Sequence, residues 1–411
     1  MMFEQALLGQ VLLDNDVFFR ILPQDWWFID SKNRAVFGRI KALIEDGATA
    51  DILSVGTQDA GYVASLTDIP TTANAEYYAK MCRAAGEKEE LRKLSLIIQD
   101  SIKTEEPDNT LEKIDSTLDK LSLAEDYKIM KSGELIKSVI EHIEERFKAE
   151  GKIPGIRCGF EKLDDMILGF QPERMYVLGA RPSQGKSALM LNFINNISEP
   201  VGLLTLESGY KEVLIREISS MAQINSANLA SGYLTSATFS KITDVAGKLY
   251  EKPFYIYDKP NCSLVEIIGQ CRRMVKRHGV KIIFIDYLQL IQVKAETERE
   301  RVQRVSNRVK DLSRELSIPI VSLAQLRRDT DGRMPSLGDF QHSSQIEQDA
   351  DVGMLIYQRI TDSNGRAVSR QMPEEGDDSK IFLLIAKNRD GQTGRIELDF
   401  QKETVTFKER R

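Results

Sequence analysis

Nine residues, Gly179-Ala-Arg-Pro-Ser-Gln-Gly185-Lys186-Ser187, follow an apolar run at Met175–Leu178 and precede a helical pattern that begins near Ala188. A strand, a tight loop and a helix in that order can hold a triphosphate. The loop aims backbone N–H groups and the helix N-terminus at the β-phosphate, Lys186 reaches the β/γ oxygens, and Ser187 supplies a hydroxyl to Mg²⁺. The nucleotide-contacting set is therefore Ala180, Arg181, Pro182, Ser183, Gln184, Gly185, Lys186 and Ser187. Ala180 stands where G-x-x-x-x-G-K-[ST] has its first glycine. Without the flanking strand and helix, the same string could be an ordinary turn.

Binding becomes hydrolysis only if one carboxylate stands beside the metal and another activates water. Asp286 ends the apolar run Ile282–Ile285, and Glu207 follows Leu203–Leu206 in the same way. Asp286 is assigned to the Mg²⁺ hydration shell and Glu207 to the general base. Taken singly, each could be a helix cap or a solvated loop acid. Gln325, after the run Ile318–Leu323, can hydrogen-bond the γ-phosphate and report its presence. Lys387 and Arg389 follow Ile381–Ile385 and precede the turn Asp390-Gly391. They are either a solvated basic turn or cations offered to the phosphates of an adjacent copy, where an arginine finger would neutralise transition-state charge.

The elements that must position these residues read as an α/β region. From Gly159 onward, short β-branched runs at Met175–Leu178, Val201–Leu206, Phe254–Tyr257, Lys281–Ile285, Ile318–Leu323, Val352–Tyr357 and Lys380–Ile385 alternate with helical stretches. The clearest helix carries Val302, Val305, Val309, Leu312 and Leu316 on one face. Such alternation predicts a mostly parallel sheet covered on both faces, with Arg395–Phe400 and Thr404–Lys408 as an antiparallel hairpin at its edge. Residues 1–103 repeat apolar positions at helical spacing (Ala6, Leu7, Val11, Leu12; Val36, Phe37, Ile40) and predict a smaller all-α domain. Residues 104–155 form a polar linker region ending in an amphipathic helix over 132–150. On that helix Leu135, Val139, Ile143 and Phe147 line one stripe, which packs either on its own domain or on a neighbouring subunit. The ATPase domain then occupies 156–411.

A chain of 411 residues with 42% hydrophobic content can bury two or three cores. Apolar stretches are short and broken by charge, and Met1–Gln10 carries Glu4 without a basic flank. Neither a membrane span nor a signal peptide is expected, and the predicted location is the cytoplasm. Four scattered cysteines and three histidines exclude a disulfide framework and a zinc site. The net charge of −6 excludes a basic coat but leaves room for a local groove that holds nucleic-acid phosphates.

Together the motifs resemble the DnaB-type replicative helicases, hexameric motors with a RecA-like core. The resemblance is carried by Ala180-Arg-Pro-Ser-Gln-Gly-Lys-Ser187, Thr205-Leu-Glu207, Ile285-Asp-Tyr-Leu-Gln-Leu290, Ala324-Gln-Leu326, Ile346-Glu-Gln-Asp-Ala-Asp351 and Ala386-Lys-Asn-Arg-Asp-Gly391, in the family's order. Glu4-Gln-Ala-Leu-Leu-Gly9 and Pro70-Thr-Thr-Ala-Asn-Ala75 extend it to the helical N-terminal region. The resemblance implies a RecA-like P-loop ATPase domain, with ATP as substrate and Mg²⁺ as cofactor. It implies Glu207 as catalytic base, Gln325 as a coupling residue, and Arg389 as a finger in trans with Lys387 beside it. It also implies a homo-hexamer that translocates 5′ to 3′ on single-stranded DNA, opens forked DNA, and works with a primase and a helicase loader.

The chain departs from the family's pattern twice. Where the family carries a charged Arg-Glu pair and a glycine, this chain has Asp339-Phe-Gln-His-Ser-Ser344. DNA contacts at Gln341, His342, Ser343 and Ser344 would then fall to backbone N–H groups and hydroxyls. The stretch Ala50–Asp68 is also shorter than usual, which fits a divergent or phage-encoded member of a bacterial family. Two other classes stay open: another RecA-like ATPase in recombination, repair or regulation, and a scaffold that binds nucleotide without turning it over.

Overall fold

The structure, a computed structural model, describes residues 2–56, 59–68, 74–104, 114, 117, 131–148, 153–182, 184–327, 334–340, 345–361, 367–368 and 378–410. The chain divides into two compact units, Met1–Met130 and Lys131–Arg411. Most of the region between the first helical unit and the amphipathic helix lies outside the described residues, as do residues 149–152.

The first unit is all-helical: α1 (Met2–Leu13), α2 (Asp16–Ile21), α3 (Ser31–Glu45), α4 (Ile52–Val55), α5 (Ala60–Leu66) and α6 (Ala75–Thr104). Leu7, Leu8, Val11, Val36, Phe37 and Ile40 meet in one core, so the helical periodicity is carried through into packing. The Glu4-to-Gly9 motif has a structural job. Buried Glu4 accepts hydrogen bonds from the backbone N–H groups of Ile29 and Asp30 and from Asn33 Nδ2. A Cβ on Gly9 would stand 2.0 Å from the carbonyl oxygen of Leu66, so only glycine lets α1 and α5 approach this closely.

The second unit opens with α7 (Ser132–Lys148) and α8 (Glu161–Ile167). Then come β1 (Met175–Ala180), α9 (Lys186–Asn196), β2 (Val201–Thr205), α10 (Tyr210–Ala222), α11 (Ser226–Ser231), α12 (Ser236–Glu251) and β3 (Phe254–Asp258). The chain continues through α13 (Leu264–His278), β4 (Ile282–Asp286), α14 (Glu298–Glu315), β5 (Ile320–Gln325) and α15 (Gln345–Asp349). It closes with β6 (Val352–Thr361), β7 (Ala367–Val368), β8 (Asp378–Asn388), β9 (Gly394–Gln401) and β10 (Thr406–Glu409).

These strands form a ten-stranded sheet in the order β10-β9-β8-β6-β1-β5-β4-β2-β3, with β7 beside β6. Strands β3, β2, β4, β5, β1 and β6 run parallel; the apolar runs of β2, β4, β5 and β1 are buried on both faces, and β3 is a half-buried edge strand. One face packs α13 and α14 through Ile267, Cys271, Val305, Val309 and Leu312. The other packs α8 and α9 through Leu163, Ile167, Leu189 and Phe193. The β9–β10 pair is antiparallel, as its spacing predicts. The departure is β8, which pairs antiparallel with β6 along Val352↔Asn388 to Thr361↔Asp378. A strand reversed here delivers its C-terminal end to the opposite edge of the sheet from the other strands. All four cysteines are free and buried, and burial pushes the Cys82 and Cys271 thiols up to about 12.

Candidate nucleotide site

The loop after β1 turns on Gly185, whose φ of +86° favours glycine and sets up the start of α9 at Lys186. Ala180 needs no such freedom. It is the last residue of β1, buried and paired with Gln325 across the ladder, so alanine serves where the general pattern has glycine. The close approach falls one residue earlier. A Cβ on Gly179 would meet Leu355 and Phe340 side chains at 2.7 Å each. The loop's backbone and the N-terminal end of the α9 dipole offer the N–H groups that an anion would need. Arg181 is buried, Pro182 is exposed, and Ser183 lies outside the described residues.

Asp286, at the C-terminal end of β4, reaches this loop. Its Oδ2 accepts a 2.7 Å hydrogen bond from the Ser187 hydroxyl, and its Oδ1 is 3.7 Å from the Lys186 ammonium. Oδ1 is buried and accepts no hydrogen bond. A hydroxyl beside a carboxylate oxygen that accepts no hydrogen bond suits Mg²⁺, which binds few protein oxygens and keeps several waters. Lys186 sits over the Tyr287 ring at 4.2 Å from its centroid. Burial lowers the Lys186 pKa from its ordinary value, against the opposing charges of Asp286 and Glu207. Burial also raises that of Tyr287, helped by the same two carboxylates.

Glu207 does not end a strand as expected: β2 stops at Thr205, and Glu207 stands exposed in the loop before α10. That loop is tied down nevertheless. The Thr205 hydroxyl donates to the Ser208 carbonyl, and the Leu206 N–H donates to the Asp286 carbonyl at 2.8 Å. Gln325 ends β5, and its backbone is bridged by Gln289, whose Oε1 accepts from the Gln325 N–H and whose Nε2 donates to the Gln325 carbonyl, each at 3.4 Å. The loop that follows Asp286 and the end of β5 at Gln325 are thereby joined. A cleft of about 400 Å³ collects Lys186, Ser187, Glu207 and Gln325 with Arg216, Phe400 and Val405. The last three were not legible from spacing, because they arrive from α10 and from the β9–β10 hairpin, far along the chain.

Lys387 and Arg389 do not line this cleft. Because β8 is reversed, both lie beside Asp351 at the start of β6, the edge away from the phosphate loop. The length of β1, about 17 Å by its rise per residue, separates that edge from Ala180, further than an arginine side chain reaches. Arg389 pairs with Asp351 at 3.0 Å and donates to the Gln348 carbonyl at 3.2 Å. Lys387 donates to the carbonyls of Glu347 and Gln348 at 2.7 and 3.2 Å. Burial and then the neighbouring Arg389 charge lower the Lys387 pKa. Gln341, His342, Ser343 and Ser344 lie outside the described residues. A second cleft, lined by Arg359, Lys380, Phe382, Arg395 and Glu397, holds neither the phosphate loop nor the acids.

Comparison with known proteins shows the family to which the chain belongs. Residues 155–409 match the family model for the DnaB-like helicase C-terminal domain, and residues 1–84 match that for the DnaB-like helicase N-terminal domain. The chain is 31% identical over 429 residues to the replicative DNA helicase DnaB of Treponema pallidum, covering 98% of this chain and 94% of that protein. It is 32% identical over 436 residues to the replicative DNA helicase DnaB of Geobacillus stearothermophilus, covering 98% and 93%. A solved DnaB-like replicative helicase, described with its interactions with primase, superposes with a TM-score of 0.72 at 26% identity, covering 99% of this chain and 98% of that one. A second solved structure, an isolated ATPase domain, covers 66% of this chain and 97% of its own, with a TM-score of 0.60 at 31% identity.

Proposed function

Because the chain belongs to the DnaB-like helicase family, we propose that it acts as a ring of six copies with one ATP at each interface. The enzyme is a replicative DNA helicase driven by ATP. One observation carries the reading: the phosphate loop, Glu207 and Gln325 line one cleft, with Asp286 bonded to the loop through Ser187, while Lys387 and Arg389 sit at the opposite edge of the same sheet. A copy cannot serve its own nucleotide with that arginine; a ring lets each copy serve its neighbour's.

In this reading Lys186 and the backbone of 180–187 hold the phosphates, and Ser187 and Asp286 hold Mg²⁺, which when bound neutralises charge on the β/γ oxygens. Glu207 takes the proton of the attacking water. Gln325 senses the γ-phosphate and passes its presence to Gln289. Arg389, with Lys387 beside it, stabilises the transition state of the next copy. Single-stranded DNA threads the ring in the 5′ to 3′ sense, held at Gln341, His342, Ser343 and Ser344, and forked DNA is the substrate that is opened. A primase and a loader are the expected partners, and the bacterial cytoplasm is the expected location.

Two measurements test this. ATP-dependent separation of a forked duplex should be robust in the wild type, and Lys186→Ala should lose about 100-fold or more of its ATP turnover and all unwinding. Hydrolysis by the wild type without unwinding of forks of either polarity would overturn the helicase reading. Glu207→Ala and Arg389→Ala should each be inactive alone. Mixed in the same rings they should recover hydrolysis, because some interfaces then join an intact base to an intact finger; no recovery would overturn the assignment in trans.

A further inference from the structure

Asp351 is buried, with 5% of its surface exposed, at the junction of α15 and β6. Its carboxylate is occupied on both oxygens. Oδ2 accepts from the Met175 N–H at 2.8 Å and pairs with the ammonium of Lys310, which is itself buried on α14. Oδ1 pairs with the Arg389 guanidinium at 3.0 Å. Lys310 also donates to the Glu173 carbonyl at 3.2 Å. The backbone closes the same junction: the Asp351 N–H donates to the Met175 carbonyl at 2.9 Å, and the Arg389 N–H donates to the Asp351 carbonyl at 3.1 Å.

A carboxylate fixed by a buried lysine and a strand N–H cannot swing. Its remaining oxygen therefore offers Arg389 a point of attachment whose position is set by β1 and α14. The α15 carbonyl of Gln348, which accepts from the other end of the guanidinium, supplies a second point. Two acceptors on a planar fork fix its orientation as well as its place. Arg389 nevertheless keeps 46% of its side chain exposed, so the held group still faces outward.

We infer that Asp351, locked by Lys310, is a positioning residue that presents Arg389 to the neighbouring copy's ATP; the inference rests on the reading of Arg389 as a finger in trans. The alternative is that Asp351 serves its own copy's nucleotide, since it also holds the first residue of β1, the strand that carries the phosphate loop.

Mixed rings separate the two. Asp351→Asn should lower kcat for ATP about 10- to 100-fold, the scale of misplacing a catalytic group by about an ångström, with KM within about threefold of wild type. In full-length rings shown by native mass spectrometry to contain both subunits, Asp351→Asn with Glu207→Ala should recover hydrolysis, and Asp351→Asn with Arg389→Ala should not. The reverse pattern, recovery with Arg389→Ala and none with Glu207→Ala, would place Asp351's action on its own phosphate loop and overturn the inference, as would an unchanged kcat. Lys310→Met with Asp351→Asn removes the ammonium left unpaired by the single change and should show the same pattern if the fold tolerates only the neutral pair. The control mixture of Glu207→Ala with Arg389→Ala reads the finger itself: if it alone fails to recover, the reading in trans falls, and the positioning role falls with it.

Discussion

Glu217 on α10 is fully buried near Lys252. Burial pushes its carboxyl up to about 8, with the Lys252 ammonium pulling the other way, and burial likewise lowers the Lys252 pKa. Between the ordinary value of 4.5 and about 8, the folded protein keeps a proton on Glu217 that the unfolded chain has released, so stability falls as pH rises through that window. Thermal melts of the wild type should decline from pH 5 to pH 8, and Glu217→Gln should melt higher than wild type at pH 8 with little difference at pH 5. Parallel profiles for the two proteins would rule out this residue as the source. Glu207, by contrast, is exposed in its loop, as its proposed role as a base for water requires.

Among the elements, the β9–β10 hairpin clamps the phosphate-loop helix. Asn192 on α9 accepts from the Phe407 N–H and donates to the Val405 carbonyl at 3.1 Å. Phe407 stacks on Phe400 with ring centroids 4.1 Å apart, and its ring lies where a Cβ on Gly185 would be, at 2.7 Å. Gly185 is thus required twice, by its positive φ and by the ring against it. Phe407→Ala should destabilise the ATPase unit by about 3–5 kcal/mol, the usual range for emptying a buried phenylalanine site, and should weaken nucleotide binding because the loop loses its backing. Calorimetry and a fluorescent-nucleotide titration would check both. Loss of stability with unaltered nucleotide affinity would detach the hairpin from the site.

For the molecule as a whole, the feature that matters is α7, on whose apolar stripe Val139, Ile143 and Phe147 are exposed, Phe147 by 85%. Three exposed apolar side chains on one face of a helix need a covering surface. Of the two possibilities that helical spacing leaves open, exposure favours docking on a neighbouring copy. Ile143→Glu combined with Phe147→Ser should leave the melting of the ATPase unit unchanged while shifting rings toward monomers in sedimentation velocity, with loss of hydrolysis that depends on Arg389. Intact rings would send the stripe back to packing within one copy.

That the 179–187 loop opens a helix beside a strand-end aspartate could be read from the chain alone, because such a loop, a strand-end acid and a periodic apolar face are each encoded within a few residues. The partition into all-α and α/β regions was legible for the same reason, since the periods differ. Folding in three dimensions settled whatever depends on segments far apart. The reversed direction of β8 moves Lys387 and Arg389 to the far edge, and no local signal fixes a strand's direction when the connection before it is long. Asp351 becomes a pivot only because Met175, Lys310 and Arg389 converge on it from 176, 41 and 38 residues away. Glu207 was legible as an acid beside a strand but not as a loop residue, because the strand end is set by where pairing with β3 and β4 stops.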